Sequence, residues 1–298
     1  MFKVSKFIHI FPVLLAPFSC DAPPQSKLPE TPTSSTAASS GSGGADALGA
    51  PGKSEPGVTS DCQAWTSLLD GPWRYVNDQW GADKAQAGFE QCLLRRDVTG
   101  DQQIGWTWSW PGFDPSVFAF PSATFGWKPW AGGTPTDARF PMRVADLVML
   151  ELSYEVETSA DGAFNLAAEI WLTSEAPSAF GANPSIITSE VMFWLEQTDT
   201  RPAGAVVDQP TVGGTEYELW KEANIGKDAN GQGWTILSFK ASAPRRQGVV
   251  PIHTFIEYLV DKGELRADEY VASVEFGNEL SGGAGTTWVK QLEVKVQP

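Results

Sequence analysis

Apolar and polar residues alternate through most of the chain after residue 60, and alternate side chains of an extended strand share a face. In 147–158, LVMLELSYEVET, Val148, Leu150, Leu152, Tyr154 and Val156 fall on one side, opposite Glu151, Ser153, Glu155 and Glu157. In 165–172, NLAAEIWL, the apolar side holds Leu166, Ala168, Ile170 and Leu172, with Glu169 and Trp171 opposite. The runs 234–241 and 288–296 alternate as well, and turn-rich clusters such as SADG and KDANGQG separate the strands. One segment has a different period. Over 250–263, Ile252, Phe255, Ile256, Leu259 and Val260 fall at helical spacing between Pro251 and Gly263. Many strands and one α-helix predict an all-β domain, a sandwich or β-jelly roll of two antiparallel sheets.

The run SEVMFWLEQ, residues 189–197, alternates in an unusual way. Val191, Phe193 and Leu195 make an ordinary core face. Glu190, Met192 and Trp194 share the other. A strand facing only water has no use for tryptophan, and one facing only a core has none for a carboxylate. A cleft for a partly apolar, hydroxyl-rich ligand uses both.

The first residues follow another logic. Residues 1–20 begin with Lys3 and Lys6 and continue as an apolar run from Phe7 to Phe18, too short for a membrane span and suited to a secretory signal. Residues 21–59 hold no aromatic side chain and are rich in Pro, Ser, Thr, Gly and Ala, which predicts a disordered linker. The folded domain is expected over 60–298. Export makes a disulfide between Cys62 and Cys92 an expectation. Cys20 is left over, at a junction that resembles a bacterial lipoprotein cleavage site, where the cysteine is acylated; ordinary signal cleavage near Ser19 is the alternative. The protein is expected to be exported, as a cell-envelope lipoprotein or extracellular, touching a membrane only through that anchor, and to act as a monomer.

Composition narrows the chemistry. A formal charge of −15 argues against nucleic acid, which recruits clustered Lys and Arg. Of two histidines only His253 lies outside the signal, which leaves no Ser-His-Asp triad, no Cys-His nucleophile and no zinc set. No metal and no cofactor are expected. An enzyme of this composition must rely on carboxylates, and glycoside hydrolysis needs two of them. Glu190 is one candidate; Glu275 and Glu279 stand in VEFGNELSGGAG, residues 274–285. Thirteen tryptophans supply faces for stacking on sugar rings, although a large sandwich core uses tryptophan too. Of these, GWTWSWPG (105–112) alternates like a core strand, whereas FGWKPW (125–130) reads as a ligand loop because of its lysine and proline.

Several motifs, in order, resemble glycoside hydrolase family 12. YVNDQWG (75–81) is similar to the family's NNxWG, FPSATFGWKPW (120–130) to YPxxxxGxKPW, SEVMFWL to the nucleophile strand, RPAG (201–204) to the loop after it, and FGNELSGGAG to the acid/base strand. Cys62 and Cys92 match a disulfide of some members. The resemblance implies a jelly roll whose concave sheet forms an open substrate groove. It also implies a retaining endo-β-1,4-glucanase acting on cellulose-like or mixed-linkage β-glucan, or alternatively on xyloglucan. Glu190 then corresponds to the nucleophile and Glu279 to the acid/base, their carboxyl groups about 5–5.5 Å apart. Glu169 stands where the family usually has a helper aspartate, and Met192 supports the nucleophile. Asn77, Trp80, Trp127, Lys128 and Trp194 would line the sugar side, and Glu275 is structural. A non-catalytic sugar-binding lipoprotein is the rival from another class; binding alone requires neither glutamate.

Overall fold

The computed structural model describes residues 50–298 apart from Gln86, Val117 and residues 227–232. The signal-like run and Cys20 lie outside the described residues. In chain order the strands are β1 (Val58–Asp61), β2 (Ser67–Asp70), β3 (Trp73–Val76), β4 (Glu90–Val98), β5 (Asp101–Phe113) and β6 (Ser122–Gly126). They continue as β7 (Met142–Arg143), β8 (Met149–Asp161), β9 (Phe164–Thr173), β10 (Ile187–Thr198), β11 (Ala205–Asp208) and β12 (Thr211–Val212). The last are β13 (Thr215–Ile225), β14 (Trp234–Ala241), β15 (Gln247–Val250), β16 (Tyr270–Gly277) and β17 (Gly282–Gln297). A single α-helix among the described residues, α1 (Ile252–Asp261), joins β15 to β16.

The smaller sheet has the order β1-β4-β5-β17-β8-β15, and the larger runs β11-β13-β14-β10-β9-β16-β6-β3-β2, with β7 and β12 at its margins. The pairings are antiparallel with one exception. β10 and β14 are parallel, a departure from the purely antiparallel sheets expected. The chain leaves β10, crosses to β13 and returns by a hairpin into β14, which therefore arrives pointing the same way as β10.

Between the sheets lies one apolar core. Leu150, Leu152, Tyr154 and Val156 of β8 face it from the smaller sheet, and Leu166, Ala168, Ile170, Leu172, Val191, Phe193 and Leu195 from the larger. The alternation expected for these strands holds, except that Val148 precedes β8 and is exposed. Trp106, Trp108 and Trp110 of β5 are all buried in this core. Helix α1 closes one side by burying Ile252, Phe255, Ile256 and Leu259, with the Phe255 ring 4.8 Å from Phe193 and 4.6 Å from Phe239. Each such side chain contributes about 1.5–3 kcal/mol on leaving water. The helix stops at Gly263, whose φ of +73° is the left-handed turn that glycine adopts without penalty.

Part of the expected linker is ordered. Residues 50–59, assigned above to the linker, pack against the smaller sheet. The Ala50 N–H donates to Glu90 Oε2 at 2.9 Å, Lys53 pairs with the same carboxylate, and the Pro51 carbonyl accepts from Thr286 Oγ1 at 2.8 Å. These bonds fix a segment that has little apolar surface to bury, so composition alone misplaces the boundary. β1 follows directly, and its end is tied to β4 by the disulfide Cys62–Cys92.

Candidate active site

The outer face of the larger sheet carries the polar residues of β9, β10 and β16. Cross-strand register puts Glu190 beside Trp171, which is beside Ser273. One pleat further along, Met192 lies beside Glu169, Glu169 beside Glu275, and Glu275 beside Thr124. The intervening residues point into the core, so strict alternation in three strands delivers Glu169, Glu190 and Glu275 to one surface.

Glu279 arrives from the turn after β16. Asn278 is buried there as a pin. Its Oδ1 accepts from Trp106 Nε1 at 2.7 Å and Thr287 Oγ1 at 2.8 Å, and its Nδ2 donates to the Asn165 carbonyl at 2.8 Å. Asn165 then grips Glu279 itself. Its Oδ1 accepts from the Glu279 N–H at 3.0 Å, its own N–H donates to the Glu279 carbonyl at 3.0 Å, and its Nδ2 donates to Glu279 Oε2. Glu190 receives one bond to its carboxyl among the described residues, from Trp234 Nε1 to Oε2 at 3.0 Å. Glu169 accepts from Trp171 Nε1 at 3.1 Å.

Electrostatics separate the acids into two groups. Glu275 and Asp78 are neutralised by Lys128, whose Nζ lies 2.8 Å from Glu275 Oε2 and 3.2 Å from Asp78 Oδ2. Burial alone would lower the Lys128 pKa, but Glu275, Asp78 and Glu169 more than reverse this and keep the ammonium charged. Among the described residues, Glu190 and Glu279 form no ion pair. Burial, and then the Glu279 charge, push Glu190 up to about 8, while Trp234 and the more distant Lys128 oppose the rise. Burial pushes Glu279 up to about 7 against the Asn165 hydrogen bond. Glu169 is raised well above the usual carboxylate range by burial and by the Glu275 and Glu190 charges. The site thus combines a lysine paired with two buried acids and two further glutamates raised above the usual carboxylate range.

Three residues expected to face sugar do not. Asn77 is fully buried, with Nδ2 donating to the carbonyls of Gln63 and Gln91 at 3.0 and 3.1 Å and Oδ1 accepting from Gln91 Nε2 at 2.8 Å. It braces the loop that holds Asp78. Lys128 is committed to the buried acids. Trp127 is also buried, its ring 5.9 Å from Phe180, so FGWKPW is a packed corner and not an open ligand loop. Met192 and Trp194 do share the Glu190 face, with the Trp194 N–H 3.4 Å from the Met192 sulfur. Trp80 is half-buried, with the Lys84 ammonium 4.5 Å above its ring.

Asn165, Asn278, Trp171 and Trp234 bear directly on the glutamates without having been singled out from sequence. Asn165 and Trp234 are brought there by strand pairing and Asn278 by a turn, with nothing local to mark the partner, whereas Trp171 follows Glu169 by two residues on the same face of β9.

Comparison with known proteins gives the family. Residues 71–297 match the model of Glycosyl hydrolase family 12. The chain belongs to that family. Endoglucanase S of Pectobacterium parmentieri is 30% identical over 222 residues, 74% of this chain and 80% of that protein. The xyloglucan-specific endo-beta-1,4-glucanase A of Emericella nidulans is 25% identical over 79% of this chain and 90% of its own. Among solved structures, the family 12 xyloglucanase of Bacillus licheniformis is 30% identical, with a TM-score of 0.71, and is matched over its whole length by 80% of this chain. As a family 12 member the protein is a retaining glycoside hydrolase of the endo-β-1,4-glucanase type, and the jelly roll expected from sequence is the fold observed.

Proposed function

We propose that this endo-β-1,4-glucanase uses Glu190 as nucleophile and Glu279 as acid/base on internal bonds of cellulose-like or mixed-linkage β-glucan. The observation that carries the assignment is the distribution of charge. Glu275 and Asp78 are held by Lys128, and Glu169 accepts from Trp171 beside them, which leaves Glu190 and Glu279 as raised carboxyls with no ion pair among the described residues. In the first step Glu190 attacks the anomeric carbon while Glu279 protonates the departing oxygen. In the second, Glu279 takes a proton from water as the water displaces the glycosyl ester, and configuration is retained. Ester formation removes the Glu190 charge, which lowers the Glu279 pKa just when it must act as base.

Burial raises both carboxyls, Glu190 with a further push from the Glu279 charge. Attack requires the proton on Glu279, and a glycosidic oxygen that accepts from Glu279 holds it there. Met192 and Trp194 form a wall for the sugar, and Trp80 a further face.

Xyloglucan is the second reading, favoured by the likeness to the Bacillus licheniformis xyloglucanase. Release of reducing ends from carboxymethylcellulose, barley β-glucan and tamarind xyloglucan separates them. Activity on the first two supports the main reading, xyloglucan alone the second, and silence on all three a binding module.

Export with residues 1–20 as signal, acylation of Cys20 and action as a monomer complete the proposal. A Cys20→Ser variant is expected in the soluble fraction, and an unacylated wild type by mass spectrometry contradicts the anchor.

A further inference from the structure

Three indoles meet above Glu190. Trp130 lies 4.9 Å from Trp234 and 5.5 Å from Trp171, ring centre to ring centre, and Trp171 lies 6.0 Å from Trp234, all near edge-to-face. Two of these rings end on a carboxylate: Trp171 Nε1 on Glu169 and Trp234 Nε1 on Glu190. Backbone approaches the Trp234 ring from a further direction. Gly226 has φ of +57°, and a Cβ there would sit 1.6 Å from Trp234 Cζ3. A half-buried ring held by two aromatic edges and a glycine has little freedom to swing, so its N–H is fixed in direction.

We propose that Trp234 is a positioning residue for Glu190: its clamped indole N–H holds Oε2 and leaves Oε1 as the attacking oxygen. This rests on the assignment of Glu190 as nucleophile. A neutral donor on a carboxylate favours the charged form, which is the form that attacks. Among the described residues, the charged and titratable groups around Glu190 are Glu279 beyond β16, Glu275 on β16, Glu169 on β9 and Lys128 after β6. Trp234 is the contribution of β14. Replacing it by phenylalanine removes the N–H, keeps an aromatic ring in the cage, and leaves all four other groups in place.

The test is the pH dependence of covalent trapping by 2,4-dinitrophenyl 2-deoxy-2-fluoro-β-cellotrioside. Its leaving group needs no proton, so the rate follows Glu190 alone. In Trp234→Phe the acid limb is expected to move up by about one pH unit, with trapping about tenfold slower below it. A limb that stays in place, whatever the loss of amplitude, overturns the proposal, because a purely structural role lowers the rate evenly. The wild type gives a second reading that needs no variant of Trp234 to fold. Its indole proton resonance is expected to shift with the Glu190 titration and to stop doing so in Glu190→Gln; an indole proton insensitive to pH also overturns the proposal. Peptide mapping of the trapped wild type keeps the two hypotheses apart. A label on a residue other than Glu190 refutes the nucleophile assignment, while the indole titration still decides whether Trp234 holds Glu190.

Discussion

Glu169 of β9 and Glu275 of β16 are direct cross-strand partners, two buried carboxylates side by side on one sheet face. Like charges so placed repel, and the protein answers twice. Lys128 binds Glu275, and burial beside the Glu275 and Glu190 charges raises Glu169 well above the usual carboxylate range. Lys128 is therefore a keystone for the site and not a sugar contact. Lys128→Met is expected to destabilise the protein by about 3–5 kcal/mol, since it leaves Glu275 and Asp78 buried without a cation. Adding Glu275→Gln should recover a good part of that loss. Chemical denaturation of the single and double variants measures both, and a double variant no more stable than the single contradicts the keystone role.

Asn77 provides a parallel test of a residue that does not face the substrate. Asn77→Ala removes buried hydrogen bonds to Gln63 and Gln91, at about 1–3 kcal/mol. KM of the folded enzyme should be unchanged. A raised KM with unchanged stability would return Asn77 to the groove.

Stability should also reflect the function of Glu190. Its folded pKa, about 8, lies above the usual carboxylate value. A raised acid is favourable below its unfolded pKa and loses that contribution as pH rises through the folded value. Glu190→Gln, which cannot ionise, should thus match the wild type near pH 4 and exceed it near pH 9 by several degrees in Tm. A gap that is constant with pH would contradict a buried, strained carboxyl.

The disulfide closes a loop with a sequence separation of 30. On the chain-entropy estimate Cys92→Ser costs about 3–4 kcal/mol. Melting temperature should fall while activity on β-glucan at 25 °C persists, because the bridge lies on the smaller sheet, away from Glu190.

What the sequence reveals here is what depends on neighbours along the chain. Alternation in 165–172 and 189–197 is enough to put Glu169, Trp171, Glu190, Met192 and Trp194 on the outer face, and helical spacing is enough to place α1. Contacts between distant segments are another matter. The pairing of Lys128 with Glu275 spans 147 residues, and the bond from Asn165 to Glu279 spans 114. The parallel pairing of β10 with β14, which delivers Trp234 to Glu190, depends on a crossover that periodicity does not encode. The docking of residues 50–59 on the smaller sheet is hidden for a related reason, since hydrogen bonds to Glu90, Thr107 and Thr286 hold the segment.

The assignment of the two glutamates is tested most directly by azide rescue with an aryl β-glycoside of acidic phenol. Glu279→Ala should still form the glycosyl ester, because that leaving group departs without a proton, and azide should release it as the β-glycosyl azide. Glu190→Ala cannot form the ester, so azide should attack the intact substrate and give the α-glycosyl azide. The account predicts this pairing of variant with anomer, read by NMR of the isolated products. The opposite pairing would reverse the two roles, and a β-azide from Glu275→Ala with none from Glu279→Ala would remove Glu279 from the mechanism.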